Sequence, residues 1–263
     1  MSDVRQSDIQ ESMARLQSSL SVVTDEVRQA LAPTDTLRAG INVSNFLLVT
    51  GESAEGDPTG VSPSMAHALA TLLDCPVEYV QFPSPGSVAD AAPKDAWDIG
   101  NIGADPARAE FIHFTKAYCE IESTCLLPPN STIASFADVD KPGIRIASKA
   151  RAAYTLWLER NLQHAELVLF DSIDASFDGF VSEQMDVLAG LRPRLLEDEQ
   201  RLAGSRLLPD KFAAVQQAIG TPSTRSSAGI TWLKSFVEAA KTSGLVQAFI
   251  DQHGVTGKLS VAE

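Results

Sequence analysis

The sequence predicts an α/β protein of two sheet-bearing lobes, preceded by an N-terminal helix. Three observations carry this prediction. Strand and helix patterns alternate from Leu37 to about Ile99, the same alternation restarts after Pro128-Pro129, and a polar stretch with a regular apolar spacing precedes both. Strand-helix-strand alternation implies a mainly parallel sheet covered by helices. At 263 residues the chain is long enough for one large domain or for two smaller lobes with separate cores, and the restart favours two.

Taken in order, Ile9, Met13, Leu16, Leu20, Val23, Val27 and Ala30 are spaced 4-3-4-3-4-3, a heptad seam among Ser, Gln, Asp, Glu and Arg. The seam predicts one helix over residues 1–32, ended by Pro33. Two uses of its stripe stay open: packing on the chain's own body, or a homodimeric coiled coil through residues 9–30. Leu37 to Val43 reads as a buried strand, and Ser62-Pro63 starts a helix with Ser62 as the cap and Pro63 in the first turn. Met65, Ala68, Leu69 and Leu72 share one face of that helix. Val77 to Phe82 is the next strand, followed by a Pro/Gly-broken turn, a short helix and a third strand around Trp97-Asp98-Ile99.

The second alternation gives a strand at Arg145 to Ala147, a helix from about Ala152 to Asn161, a strand at Leu167 to Phe170, a helix near Ile173 to Val181 and a strand at Met185 to Ala189. Two closing helices follow, one rich in Trp232, Leu233, Phe236 and Val237, the other in Leu245, Val246, Phe249 and Ile250. Both need a sheet to cover.

Composition narrows the function classes. With 44% hydrophobic and 21% charged residues the chain is of folded, globular type rather than disordered or fibrous. A net charge of -13 disfavours nucleic acid and anionic membrane surfaces. It leaves room for a small anion, because one buried arginine outweighs a diffuse, screened surface charge. Cys75, Cys119 and Cys125 show no ligand spacing and are expected to be reduced, structural thiols, and His67, His113, His164 and His253 are assigned structural or solvated roles. No metal and no cofactor are expected. The polar start Met1-Ser2-Asp3 lacks a signal-peptide pattern and no run is long enough to span a membrane, so a cytoplasmic protein is expected, or a periplasmic one if a leader was removed.

The order of these segments resembles the bacterial solute-binding proteins of family 3, the polar amino-acid receptors of ABC transporters, over about residues 36 to 257. The resemblance is carried by Leu37-Arg38-Ala39-Gly40-Ile41-Asn42, by Gly60-Val61-Ser62-Pro63-Ser64-Met65-Ala66, and above all by Trp97-Asp98 through Asp105-Pro106-Ala107-Arg108 to Phe114-Thr115-Lys116-Ala117-Tyr118. It implies the two-lobed periplasmic-binding-protein type II fold with a hinge: lobe 1 over 36–123 and 215–257, lobe 2 over 124–214 between them, a tail at 258–263, and Glu120 to Leu127 and Ala214 to Thr221 as the crossing strands. The ligand would lie in the cleft.

By the same resemblance Arg108 stands where the family clamps a ligand carboxylate, a role suited to its planar, permanently charged fork; the alternative is a surface arginine opening a helix. Asn101 and Gly103 match positions that help hold the carboxylate, and Asp105 either joins them or caps a helix before Pro106. Asn42 replaces the family's ammonium-binding acid, Leu191 aligns near a second such acid, and Asp186 matches a structural position. The second lobe's carboxylate-binding turn reads Ala150-Arg151-Ala152, so Lys149 or Arg151 supplies positive charge there or is solvent-exposed. Phe46 and Tyr154 wall an apolar part of the pocket or belong to the core.

The expected function is therefore a solute-binding protein that captures a small carboxylate, amino-acid-like or an organic acid. It would act as a transporter receptor with an ABC permease if exported, or as a cytoplasmic sensor or carrier. The alternative implied by the resemblance is a lyase like the cyclohexadienyl dehydratases, with Glu120, Glu122 and Asp105 as the acids available for general acid-base work. Ser/His/Asp sets, Cys/His pairs and phosphate loops do not stand out in the sequence.

Overall fold

The computed structural model describes residues 2–263, with side chains from residue 6 onward. The chain forms two compact units, Met1–Glu120 with Gln216–Glu263, and Ile121–Val215. The first unit opens with two helices where one was expected, α1 (Ser2–Ser19) and α2 (Asp25–Leu31). The break has a local cause. Ser18 and Ser19 turn their hydroxyls back onto the carbonyls of Arg15 and Leu16, both at 2.8 Å, closing α1. Thr24 then caps α2, its hydroxyl accepting from the Val27 amide at 3.3 Å, with Asp25 and Glu26 favoured in the first turn. The continuous heptad helix is thus corrected: its spacing runs through residues that are not helical.

The chain continues with β1 (Leu37–Asn42), a small antiparallel hairpin of β2 (Gly51–Glu52) and β3 (Pro58–Thr59), α3 (Val61–Leu73), β4 (Val77–Phe82), α4 (Pro85–Ala91), β5 (Ile99–Gly103) and the long β6 (Ile112–Leu127). Within the second unit lie α5 (Phe136–Val139), β7 (Arg145–Lys149), α6 (Ala153–Asn161), β8 (Glu166–Phe170), α7 (Ile173–Ser182), β9 (Val187–Leu191), α8 (Arg192–Arg201) and β10 (Arg206–Leu207). The chain returns through β11 (Ala213–Pro222) to α9 (Ser227–Thr242), α10 (Leu245–Gln252) and β12 (Ser260–Val261).

In the first unit the sheet runs β4-β1-β5-β11, with β1 parallel to β4 and β5, and β11 antiparallel to β5. In the second it runs β6-β9-β7-β8, with β7 parallel to β8 and β9, and β9 antiparallel to β6. Gly40 and Gly100 sit side by side in the first sheet, and the Trp97 indole lies over both. A Cβ at either would come within 3.0 Å of that ring, so the pair forms a slot for it. Trp97 itself donates Nε1–H to the Val88 carbonyl at 2.9 Å and is fully buried among Val88, Ala92, Ile102 and Ile112. Leu16, Val27, Ala30 and Leu31 are buried too, as α1 packs on α9 and α10 and α2 packs on α9. The seam therefore spends its best apolar residues on the chain's own body.

The two units repeat one device. The Asp98 carboxylate accepts the Arg38 amide at 2.9 Å, and the Asp186 carboxylate accepts the Arg145 amide at 2.8 Å, each locking the start of one parallel strand to the entry of the next. This device moves both strand starts: β5 begins at Ile99 and β9 at Val187, later than Trp97 and Met185. Around the fully buried Asp98 it grows into an ion cluster with the side chains of Arg38 and Arg225.

Two further expectations are corrected. Gly60, not Ser62, is the N-cap of α3; its φ of 148° and the Leu48 carbonyl 2.2 Å from where a Cβ would stand admit no side chain. α8 was not expected. Its run Arg192 to Arg201 is mostly charged and buries Pro193, Leu195 and Asp198, so its apolar stripe is too thin to read. No helix among the described residues is long and apolar enough to cross a membrane.

Candidate functional site

In open α/β sheets ligands are met at the carboxyl ends of the parallel strands. In the first unit these ends belong to β4, β1 and β5, and the residues singled out from the sequence lie at those of β1 and β5. Asn42 closes β1, and its Oδ1 accepts the Ser44 amide at 3.3 Å and the Ser44 hydroxyl at 2.8 Å, an Asx-type turn that leads into the loop carrying half-buried Phe46. β5 ends at Gly103. Beyond it the Asp105 carbonyl accepts the amides of Arg108 and Ala109 at 3.1 and 3.0 Å, and its carboxylate accepts the Ala107 amide at 2.9 Å. Asp105 is thus built into the turn that starts the short 3-10 helix Arg108–Glu110.

Arg108 opens that helix but is 6% exposed, so it is not a surface residue. Its Nη1 donates to the Gly103 carbonyl at 2.6 Å, which fixes the guanidinium against the end of β5. Gly103, Asp105 and Arg108 therefore form one compact loop. Asn101 points elsewhere. It is buried, its Nδ2 donates to the Ser62 carbonyl at 3.2 Å, and its Oδ1 has no hydrogen-bond partner. The Ser62 hydroxyl meets the Tyr118 hydroxyl at 2.8 Å, and burial pushes the Tyr118 phenol well above its ordinary value. This Ser62–Tyr118–Asn101 set was not foreseen as a unit, although all three residues lie in the stretches that carry the resemblance.

In the second unit β7 ends at Lys149, which is buried. Its carbonyl accepts the Ala152 amide at 3.3 Å and the Thr155 hydroxyl at 2.6 Å, and that hydroxyl also meets Ser148 Oγ at 2.7 Å. Arg151 takes a φ of 60° at the apex of the turn and is exposed. Of the two cations read as alternatives there, Lys149 is therefore inside and Arg151 outside. α6 starts directly after with no side-chain cap. Tyr154 is a core residue of this unit, lining a small cavity with Arg194 and Asp198, and burial holds its phenol above its ordinary value.

The acids are anchored. Glu120 accepts from Gln216 Nε2 at 2.9 Å. Glu122 is held by Arg192 at 2.8 Å and Lys211 at 3.3 Å. Burial raises the Glu122 carboxyl, but the hydrogen bonds from Lys211 and Arg192 outweigh it and hold it below the usual carboxylate range. Among the described residues no group of His, Cys, Asp and Glu could hold a metal ion.

No protein-family model matches the chain, and no curated protein does. Solved structures do. The chain is similar to the solute receptor for L-cysteine of Neisseria gonorrhoeae, with a TM-score of 0.71 and 19% identity over 90% of this chain and 99% of that one. It is similar to an ancestral amino-acid-binding protein, a precursor of cyclohexadienyl dehydratase, with a TM-score of 0.69 and 18% identity over 86% and 98%. A putative binding component of an ABC transporter from Wolinella succinogenes, complexed with lysine, gives a TM-score of 0.68 and 15% identity over 83% and 95%. The chain has the two-lobed fold of these binding proteins. At such identities the likeness is one of fold.

Proposed function

We propose that this chain is a solute-binding protein that captures a small carboxylate, either amino-acid-like or an organic acid. The observation that carries this is the buried Arg108 guanidinium at the carboxyl end of β5, in a fold whose solved neighbours are amino-acid receptors. A guanidinium is always charged and matches a carboxylate with paired donors, so a buried one at the end of a parallel strand suits an anionic group. Gly103 and Asp105 belong to the loop of Arg108, Asn42 closes the neighbouring strand β1 with Phe46 in the loop after it, and Lys149 and Arg151 are the cations proposed in the second unit. Asn42 and Leu191 are uncharged where an ammonium would need acids, which favours a carboxylate without a free α-ammonium. Exported, such a protein serves an ABC permease; retained in the cytoplasm, it is a sensor or carrier. The dehydratase alternative is weaker, since Asp105 is built into a turn, Glu120 is bonded to Gln216, and Glu122 is paired with two cations and held ionised.

A thermal-shift screen against amino acids, keto acids, dicarboxylates and aromatic carboxylates tests the proposal, because a ligand of the native state raises the melting temperature. A stabilising carboxylate recovered unchanged supports a binder. A stabilising compound recovered as a different product, with water and carbon dioxide lost, moves the function to a lyase.

A further inference from the structure

α1 leaves part of its apolar stripe unburied. Among its described side chains Ser12 and Leu16 are buried, while Ile9 and Met13 are half-buried and overlook an open-sided cavity of the first unit. The cavity measures about 640 Å³. Protein interiors close-pack, and a cavity in the range of roughly 300–1,000 Å³ is the size of small-molecule sites. Its floor comes from Pro58 to Gly60, from α3 through Ser64 and Ala68, and from the end of α10 through Phe249 and His253.

The chemistry of the walls selects a ligand class. Ser64 Oγ and His253 Nε2 meet at 2.8 Å at the cavity, a paired donor and acceptor. The Tyr79 hydroxyl lies nearby, donating to the Pro63 carbonyl at 3.3 Å. Gln6, Gln10 and Gln17 bring neutral amides from α1. Among the described lining residues there is no Asp, Glu, Lys or Arg, in a chain whose net charge is -13. Burial also lowers the His253 pKa, which keeps its imidazole neutral. A charged ligand would find no opposite charge there to offset what hydration it gives up.

We infer that this cavity is a second small-molecule site, roofed by α1, for an uncharged amphiphile. Its apolar body lies against Ile9, Met13 and Phe249, and its hydroxyl, amide or ester group meets the Ser64–His253 pair. The site differs in ligand class from the carboxylate site and stands without it. Its occupant touches α1 and α10 together, so binding clamps α1 to the body.

The chain has methionines at 1, 13, 65 and 185, which makes methyl NMR of methionine-labelled protein a direct test. N-butylbenzamide is the neutral probe and octanoate the charged control. The expected result is a saturable shift of the Met13 methyl with Met185 unmoved, at least tenfold weaker binding of octanoate, and about five- to tenfold weaker probe binding in His253→Phe, as for loss of one neutral hydrogen bond. Ser64→Ala repeats that comparison should His253→Phe fail to fold. The inference is overturned if Met13 shows no saturable shift up to the solubility limit of the probe, if octanoate binds equally well, or if both polar variants bind the probe unchanged.

Discussion

Replacing Asp98 by alanine should unfold the first unit far more readily than the matching change at Asp186 in the second. Asp98 is fully buried and accepts from the Arg38 amide at 2.9 Å, from Arg38 Nε and Nη2 at 3.1 and 2.8 Å, and from Arg225 Nη2 at 2.7 Å. Removing it strands two guanidiniums whose side chains are only 22% and 14% exposed. Breaking a buried pair from one side costs about 3–5 kcal/mol. Asp95 lies within 2.6 Å of Arg225 and takes over part of the charge, which places the loss near the lower end. At about 2–4 °C per kcal/mol for a domain of this size, the melting temperature falls by about 6–12 °C. Asp186→Ala gives up the Arg145 amide at 2.8 Å while the Arg145 side chain keeps Glu183, so its cost is about 1–2 kcal/mol. Trp97 and Trp232 belong to the first unit and Trp157 to the second, so urea unfolding followed by fluorescence reports the first unit in a Trp157→Phe background and the second in a background with Trp97 and Trp232 replaced by Phe. An Asp98→Ala loss below about 1 kcal/mol, or one equal to that of Asp186→Ala, refutes the reasoning. Replacing Asp98, Arg38 and Arg225 together by apolar residues should recover much of the loss, because the one charge then left without partners, Asp95, is exposed.

Arg108→Ala should weaken carboxylate binding by about 2–5 kcal/mol in calorimetry, and an unchanged affinity removes Arg108 from the site. Deleting residues 1–32 exposes the faces of α9 and α10 that Leu16, Val27 and Leu31 cover and takes away the Ser21 carbonyl that Trp232 Nε1 meets at 3.2 Å, so the truncated chain should be less stable and its Trp232 emission red-shifted; unaltered stability would show that the helices add nothing. Glu122 has a depressed folded-state pKa, so its pairing with Lys211 and Arg192 contributes stability above the ordinary carboxylate pKa of about 4.3 and loses it as pH falls through the lower folded value. The stability gap between the parent and Glu122→Gln should accordingly be largest near neutrality and close in acid, and a gap that does not depend on pH would contradict this. Gly60→Ala should be destabilising by more than an ordinary surface change, since a Cβ there meets the Leu48 carbonyl at 2.2 Å; thermal unfolding equal to the parent would rule that contact out.

The strands β1, β4, β7, β8 and β9 were legible as short runs between breakers, as at Leu37 to Asn42 and Val77 to Phe82, whereas the two-residue strands β2, β3, β10 and β12 are too short to leave a pattern. The break between α1 and α2 was not, because heptad spacing continues through Leu20 and Val23 while the deciding signal is Thr24 followed by Asp25 and Glu26, a helix start that a search for apolar period passes over. α8 hides for the opposite reason, with polar residues occupying nearly every position that would mark a face. Arg108 and its loop were read from resemblance, and its burial could not be, since burial depends on what packs over it. The Ser62–Tyr118–Asn101 contacts join residues 39 and 56 positions apart, and only the packing of the start of α3 on the sheet brings them together. A local pattern carries no trace of that.

The passage of the chain through β6 into the second unit and back through β11 orders events during synthesis. β5 pairs with β11 on one side, at Gly103 with Gln217 through Gly100 with Gly220. That partner leaves the ribosome only after residues 121–215, which at translation speeds of about 5–20 residues per second takes roughly 5–20 s. Throughout that interval the nascent first unit carries an unpaired β5 edge, the kind of surface on which chains aggregate. The second unit, complete in one stretch of sequence, can fold while the first waits, and the faster residues 121–215 fold, the shorter the open chain that separates β11 from β5 when it emerges.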